Sequence, residues 1–386
     1  MHLSNPGYLF SLSVVEAVYF GWLIMYISIM IYLYFRYNRI ESKPHWTSQP
    51  VRVALIIPFR NESKNVQRLA GQLAKSVPNS WEIIWVDDHS EDSSTQLLVS
   101  WIKTHEIEGW KVLAAKGEGK KRALQTGILC SSSEIIVTTD ADVILAQDAF
   151  AELILPFSDP EVKLVAGPVI SQQGPGVFDG FQQIEWASVL LVTGAFFEAG
   201  RPLMCSGANL AFRKETFLQV DGYKDNEHLL SGDDEFLLKK ISKTYGPSST
   251  VFLPTRKSLV FVPPANLVSE FLQQRVRWGS KWRSHRSLSH AISAMFAVFF
   301  TVLPLFSLLF FLAGSLSGWV LGIIWIGRFM CDYYILSNVL KVLALDFHWF
   351  YFPVTSLIHP GYVLAVCLGV IRGGFSWKGR KSKLFH

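Results

Sequence analysis

Cysteine is scarce: the 386 residues hold four, Cys130, Cys205, Cys331 and Cys367, spaced as neither a disulfide framework nor a zinc site. This excludes a small disulfide-stapled secreted fold and points to a reducing compartment. Charged residues are also few, at 17%, which excludes a disordered, self-repelling chain. The net charge is +5, but Lys and Arg cluster beside apolar segments. An anionic membrane surface is therefore a simpler partner than nucleic acid. There is no internal repeat and no low-complexity tract. No basic residue precedes the first apolar run and no small-residue cleavage site follows it, which argues against a signal peptide.

What the chain has in abundance is apolar surface. At 50% hydrophobic and 14% aromatic residues, it reads as a membrane protein carrying one soluble domain. Val14 to Phe35 is apolar apart from Glu16, long enough to cross a bilayer. Arg36, Arg39 and Lys43 follow it, so the run is expected to be an uncleaved anchor with residue 36 onward in the cytoplasm.

From Val51 to about Val262 the texture changes to short apolar runs alternating with helical patterns, the signature of an α/β domain with a largely parallel sheet. Strands are expected at Arg52 to Pro58, Glu82 to Val86, Lys111 to Ala114, Ile135 onward and Lys163 to Val169. Helices are expected from a Ser63 cap through Ala74, over Thr95 to Lys103, after KGEGKK, and as an amphipathic segment from Phe178 to Phe197.

The stretch IIVTTDADVIL, Ile135 to Leu145, carries the main chemical signal. Carboxylates spaced Asp-x-Asp at a strand end point the same way across the pleat, so Asp140 and Asp142 could share one hard divalent cation with a diphosphate. Turn chemistry explains an isolated Asp-rich stretch equally well. Convergence decides between them. The first strand ends in PFRNE, Pro58 to Glu62, the second in Asp87 and Asp88, and Lys120 and Lys121 open the helix after the third. In open α/β sheets ligands bind beyond the carboxyl ends of strands. A carboxylate there suits a base or ribose, lysines at a helix start suit phosphate, and the Asp pair suits the cation.

Downstream, Ser206, Gly207 and Asn209 form either a tight turn or a close approach to a sugar. Asp233 and Asp234 open a helix, where acids are also expected for capping and dipole reasons. Asn266 to His285 reads as an amphipathic helix on the membrane surface, its bases toward headgroups. Within it, Gln274, Arg277 and Trp278 share one face and could be presented together into a cleft.

Beyond that helix, Ile292 to Ala313 and Leu316 to Ile326 read as membrane helices joined at Gly314 and Ser315, and Arg328 to Ala344 as an interfacial stretch. Trp349 to Ile371, interrupted by Pro353 and Pro360, is expected to be a broken re-entrant hairpin. That choice keeps the basic tail cytoplasmic, because three full crossings after a cytoplasmic domain would leave it outside; the alternative is that Arg328 to Ala344 also crosses. The expected organisation is thus an anchor at 1–36, an α/β domain at 50–265, an interface helix at 266–288, a membrane region at 289–371 and a basic cytoplasmic tail at 372–386.

Taken in order, PFRNE, VDDHSEDSS, GKKRALQTG, TTDAD, GANLAFRK, SGDDEFL and QQRVRW resemble the membrane-bound glycosyltransferase family 2, which includes cellulose, hyaluronan and poly-N-acetylglucosamine synthases. The resemblance covers Val51 to Trp278. It implies a GT-A fold, a Rossmann-like α/β domain with a mostly parallel sheet, and an inverting hexosyltransferase using a nucleotide-diphosphate sugar, expected to be a UDP-sugar. It further implies a divalent cation, Mg2+ or Mn2+, a lipid or glycan acceptor, and a bacterial inner membrane. By motif, Pro58, Glu62, Asp87 and Asp88 would bind the nucleoside part, Lys120 or Lys121 the diphosphate, and Asp140 and Asp142 the ribose and metal. Asp234 would be the general base, Arg277 would stabilise the leaving diphosphate, and Gln274 and Trp278 would hold acceptor or donor sugar. Where the family has Thr-Glu-Asp this chain has Gly232, Asp233 and Asp234, which keeps Asp233 as a second candidate base. A nucleotide-sugar-binding component of an export complex, without catalysis, is the alternative. A degenerate enzyme would be expected to have lost some of these acids.

Overall fold

The computed structural model describes residues 12–40, 46, 51–145, 150–227, 232–280, 288–373, 375–377 and 380–382. Helix α1, Val14–Asn38, opens on a capping box between Ser13 and Glu16. Strand β1, Val53–Phe59, follows and is buried along its whole length. The six-residue run Ala54 to Phe59 pairs in parallel with strand β2, Glu82–Asp87, on one side, while Val53 to Ile56 pair in parallel with a later strand on the other. A strand covered on both faces needs a continuous apolar run, which VALIIPF supplies. Helix α2, Val66–Ser76, buries Val66, Leu69, Ala70 and Leu73 at helical spacing. It starts later than a Ser63 cap would have it, because the chain first makes a turn in which Asn65 N–H bonds Glu62 C=O.

Helix α3, Ser94–Thr104, strand β3, Lys111–Ala114, helix α4, Lys120–Cys130, and strand β4, Ile135–Thr138, continue the alternation. Gly127 lets α4 lie directly on the sheet, since a Cβ there would come 2.6 Å from Ile56 and 3.1 Å from Val86. Strand β4 stops at Thr138, so Asp140 and Asp142 stand in the turn after it. The expected pleat geometry does not apply to them.

The segment expected as one strand over Lys163 to Val169 is two. It is cut at Gly167 and Pro168, because a proline cannot donate to a ladder. Strand β5, Ile144–Leu145, precedes them; strand β6, Leu164–Ala166, joins the main sheet, and strand β7, Val169–Ser171, joins a second one. After helix α5, Val177–Glu198, come strand β8, Leu210–Arg213, helix α6, Lys214–Gln219, helix α7, Asp233–Tyr245, and strands β9, Thr250–Phe252, and β10, Val260–Val262. The main sheet runs β3-β2-β1-β4-β8-β6-β9, with β8 antiparallel to both of its neighbours, and the smaller one runs β5-β10-β7.

Helix α5 is not amphipathic as expected. Its buried residues encircle it, from Phe181, Gln182 and Ile184 to Leu190, Leu191 and Phe197, because β7 and β9 cover one side and helices from the two ends of the chain cover the rest. Gly194 receives Tyr37 and Ile40 of the α1 end, and Arg36 pairs with Glu198 at 2.5 Å.

Helix α8, Val268–Ser280, meets α5 through Phe271 on Phe181 and Arg275 on Glu185. Arg275 is buried in the protein and Arg277 lines a cavity, so neither faces headgroups as expected. Lys281, Arg283 and Arg286 fall outside the described residues. Helix α9, Leu288–Leu312, is followed by helix α10, Gly318–Val342. The stretch expected to be interfacial is thus the second half of one helix. Its charges are absorbed internally: Arg328 pairs with Asp332 one turn on, and Asp332 accepts from Tyr26 and Ser356. Helix α11, Tyr351–Arg372, replaces the expected hairpin. Pro353 falls in its first turn, where a missing N–H costs nothing, and Pro360 deletes only one bond of the ladder. Strands β11, Phe375–Trp377, and β12, Arg380–Ser382, form a hairpin in the tail.

Candidate active site

The carboxyl ends of β1, β2 and β4, the start of α7 and one face of α8 surround a cavity of about 460 Å³. Pro58, Glu62, Asp88, Lys120, Asp140, Asp142, Asp233, Asp234, Gln274, Arg277 and Trp278 all line it. Asp87 and Lys121 do not. Asp87 is spent locally, accepting from Ser90 N–H and the Thr95 hydroxyl, both at 2.9 Å. The Lys121 ammonium turns away to Asn226 C=O at 2.6 Å and lies 5.2 Å from the Phe236 ring centre.

At the sheet end of the cavity, Asp88 is 2% exposed and accepts the Gly119 N–H at 2.8 Å. Glu62 accepts from the Asn65 amide at 2.6 Å. Two residues the sequence reading missed hold this end together. Arg60 donates to Asp88 C=O at 3.0 Å and reaches Glu91 at 2.6 Å. Arg68 donates to Val143 C=O at 2.8 Å and Asp142 C=O at 3.0 Å, fixing the Asp-x-Asp turn. Burial lowers the Arg68 pKa, opposed by the facing carboxylates of Asp142 and Glu62. Arg60 lay within a quoted motif, but nothing in the order of residues revealed that Arg68 folds back over seventy positions.

In the middle of the cavity Lys120 lies 2.7 Å from Asp140 and 3.3 Å from Asp233. Burial alone would lower its pKa, but the Asp140 and Asp233 carboxylates outweigh that and raise it, so it stays an ammonium. Asp234 is held by backbone: one oxygen accepts the Gly207 N–H at 3.1 Å, the other its helix neighbour's N–H at 2.7 Å. Gly207 serves the acids by making room, for a Cβ there would stand 2.7 Å from the Asp233 carboxylate and 3.3 Å from Lys120 Nζ. Asn209 is remote from this chemistry, pinning the chain crossing through Pro168 C=O at 2.8 Å and Ser258 C=O at 2.6 Å.

Arg277 closes the far side. Its pKa is lowered by burial, against the pull of Asp140, Asp233, Asp234 and Asp142, which all face it. Two cations, Lys120 and Arg277, thus share a small space with four carboxylates. The remaining wall is apolar and aromatic: Trp186, Val189, Leu190, Leu203, Met204 and Trp278. Among the described residues no three His, Cys, Asp or Glu side chains gather as a ready-made metal cage. Asp140 and Asp142 offer hard oxygen donors for part of a coordination shell, which suits a cation whose other ligands come with a phosphate substrate.

The profile of the family described as glycosyl transferase family 2 matches residues 54–220. A poly-beta-1,6-N-acetyl-D-glucosamine synthase of Staphylococcus epidermidis is 27% identical over 194 residues, covering 50% of this chain and 46% of that one. The protein of the same name from Staphylococcus aureus strain COL is 26% identical over 255 residues, covering 64% and 60%. The chain thus spans about half the length of these curated relatives. A mannosyltransferase from Pyrobaculum calidifontis, solved with GDP-Man and Mn2+, superposes with a TM-score of 0.59 at 18% identity, over 93% of this chain and 99% of that one. At that identity the likeness establishes the fold. Residues 54–220 thus match the glycosyl transferase family 2 profile and have a GT-A-like fold, set between helices long and apolar enough to cross a membrane.

Proposed function

We propose that the protein is an inverting glycosyltransferase that moves a sugar from a nucleotide-diphosphate sugar to a hydroxyl of a membrane lipid or growing glycan at the cytoplasmic leaflet. The observation that carries this reading is the single cavity in which acids from three strand ends, the α7 acids and the α8 motif meet. Asp88 and Glu62 bind the nucleoside. Lys120 and Arg277 take up charge on the diphosphate as it leaves, inside a site where burial strengthens their fields. A divalent cation held by Asp142 and Asp140 supplies further neutralisation of that leaving group when bound.

The acceptor oxygen attacks the anomeric carbon while the bond to the diphosphate breaks, and the acceptor's proton passes to a carboxylate. Asp234 is the better candidate for that role. Asp233 is committed to the Lys120 ammonium at 3.3 Å. The apolar wall from α5 and α8 suits a lipid-borne acceptor or a sugar ring face, with Trp278 as the platform.

The test is to incubate membranes holding the full chain with radiolabelled nucleotide sugars and Mn2+ or Mg2+, and to identify the product by mass spectrometry. Asp234→Asn is expected to abolish transfer with donor binding retained, and Asp142→Asn to weaken donor binding and transfer together, each by roughly 100-fold or more. Wild-type turnover in both variants would refute the reading.

A further inference from the structure

Arg275 stands inside the α8 motif, between Gln274 and Arg277, yet it faces away from the cavity and is 4% exposed. Its Nε donates to Glu185 Oε1 of α5 at 2.9 Å, a second nitrogen pairs with Glu185 Oε2, and a third arm donates to the Gln274 side-chain carbonyl. The guanidinium plane is enclosed by rings, with centres 4.2 Å away in Trp278, 4.3 Å in Phe271 and 5.3 Å in Trp186. Trp186 in turn meets Trp278 edge-on at 5.1 Å. Glu185 Oε1 also accepts the Tyr362 hydroxyl of α11 at 3.1 Å, and the Tyr362 ring sits 5.3 Å from Phe271.

A buried ion pair of this kind is a weak source of stability, since apolar residues of equal volume often hold a helix as well. What apolar residues cannot do is orient an amide and an indole. With its carbonyl committed to Arg275, Gln274 has its NH2 donors left for the cavity. With a planar cation against its ring, Trp278 is fixed in the cavity wall.

We propose that Arg275 is a positioning residue, held by Glu185 and through it by Tyr362, so that the acceptor end of the site is complete only while α11 is seated on α5 and α8. The seating itself is extensive. Tyr351 packs on Gly180, Gly369 on Val276, and Val366 and Val370 against Gly279. The C-terminal helix then belongs to the catalytic apparatus without touching a substrate. This inference rests on the transferase reading above.

Two readouts on purified full-length protein separate the inference from that reading. In transfer assays, Arg275→Lys, which keeps a charge but loses the planar fork, is expected to lose roughly 100-fold in kcat/KM for acceptor while donor affinity stays within about twofold. Tyr362→Phe, a single-oxygen change, should show the same split at roughly threefold to tenfold. In hydrogen exchange, the amides of residues 274–280 should exchange faster in Tyr362→Phe than in wild type, with the strands of the main sheet unchanged. Equal exchange overturns the linkage whatever the enzyme transfers, as does loss of donor affinity in step with loss of transfer. Wild-type protein that transfers from no donor overturns the transferase reading instead, and the exchange result still decides the linkage.

Discussion

Lys120 and Lys121 are adjacent in sequence and opposed in space. One meets Asp140 and Asp233 in the cavity; the other is tied to Asn226 behind it. The sequence offers both as phosphate ligands because it carries no information on how α4 is rotated, and that rotation is fixed at a distance where Gly127 settles on Ile56 and Val86. Asp87 and Asp88 divide in the same way, the first closing a turn and the second facing the ligand space. The acids at strand ends were legible because strand direction alone puts them on one side of the sheet. Asp140 and Asp142 reach the cavity for a different reason than pleating, since β4 has already ended. At this scale Gly207→Ala is the sharpest probe. The new methyl must displace Asp233 or Lys120, so transfer should fall roughly tenfold or more by misplacing charged groups. The unfolding temperature should move little, because the change lies at a cavity edge. A thermal scan beside an activity assay checks both halves.

Among elements, the local alternation of strands and helices from β1 to β4 followed directly from hydropathy and turn residues. What failed to follow were the elements whose character depends on partners. Helix α5 looked one-sided, and is enclosed because two layers meet on it. Helix α10 looked broken at Arg328, and continues because Asp332, Tyr26 and Ser356 form a polar cluster beside it. The junction of α1 with α5 makes a test. A Cβ on Gly194 would stand 2.6 Å from the Tyr37 ring and 2.9 Å from Ile40, whereas Gly21 on the outer stretch of α1 has open space around it. Gly194→Ala is expected to cost about 1–3 kcal/mol through overpacking. Gly21→Ala should be neutral or slightly stabilising through helix propensity. Unfolding temperatures of the two variants in one detergent check the contrast.

For the whole molecule, the count of membrane crossings is the question hydropathy left open. Tyr19, Trp22 and Leu23 of α1, Phe300 of α9, and Val320 and Ile324 of α10 form a second core of their own. No residue of α11 enters it. Helix α11 touches α5 and α8 from Tyr351 to Val370, and it also packs on α9 and α10, where Ser356 bonds Asp332. If α11 lies against the domain, the tail returns to the domain's side after α9 and α10. Length and apolarity could not distinguish this from a crossing, because a helix pressed between protein and bilayer surface is as apolar as one that spans it. Cys130 is exposed on the domain, so it and a cysteine appended after His386 should react alike with a membrane-impermeant maleimide added from one side. Opposite reactivity would mean that α11 crosses. Helix α5 has one more consequence, for anyone preparing the protein. The helix is shared between the sheet and the helices from both chain ends, so a fragment trimmed to residues 50–265 would present its apolar flank to solvent. Such a fragment should aggregate on expression, and a harsh detergent should inactivate the full chain by competing for that same flank before it unfolds the sheet.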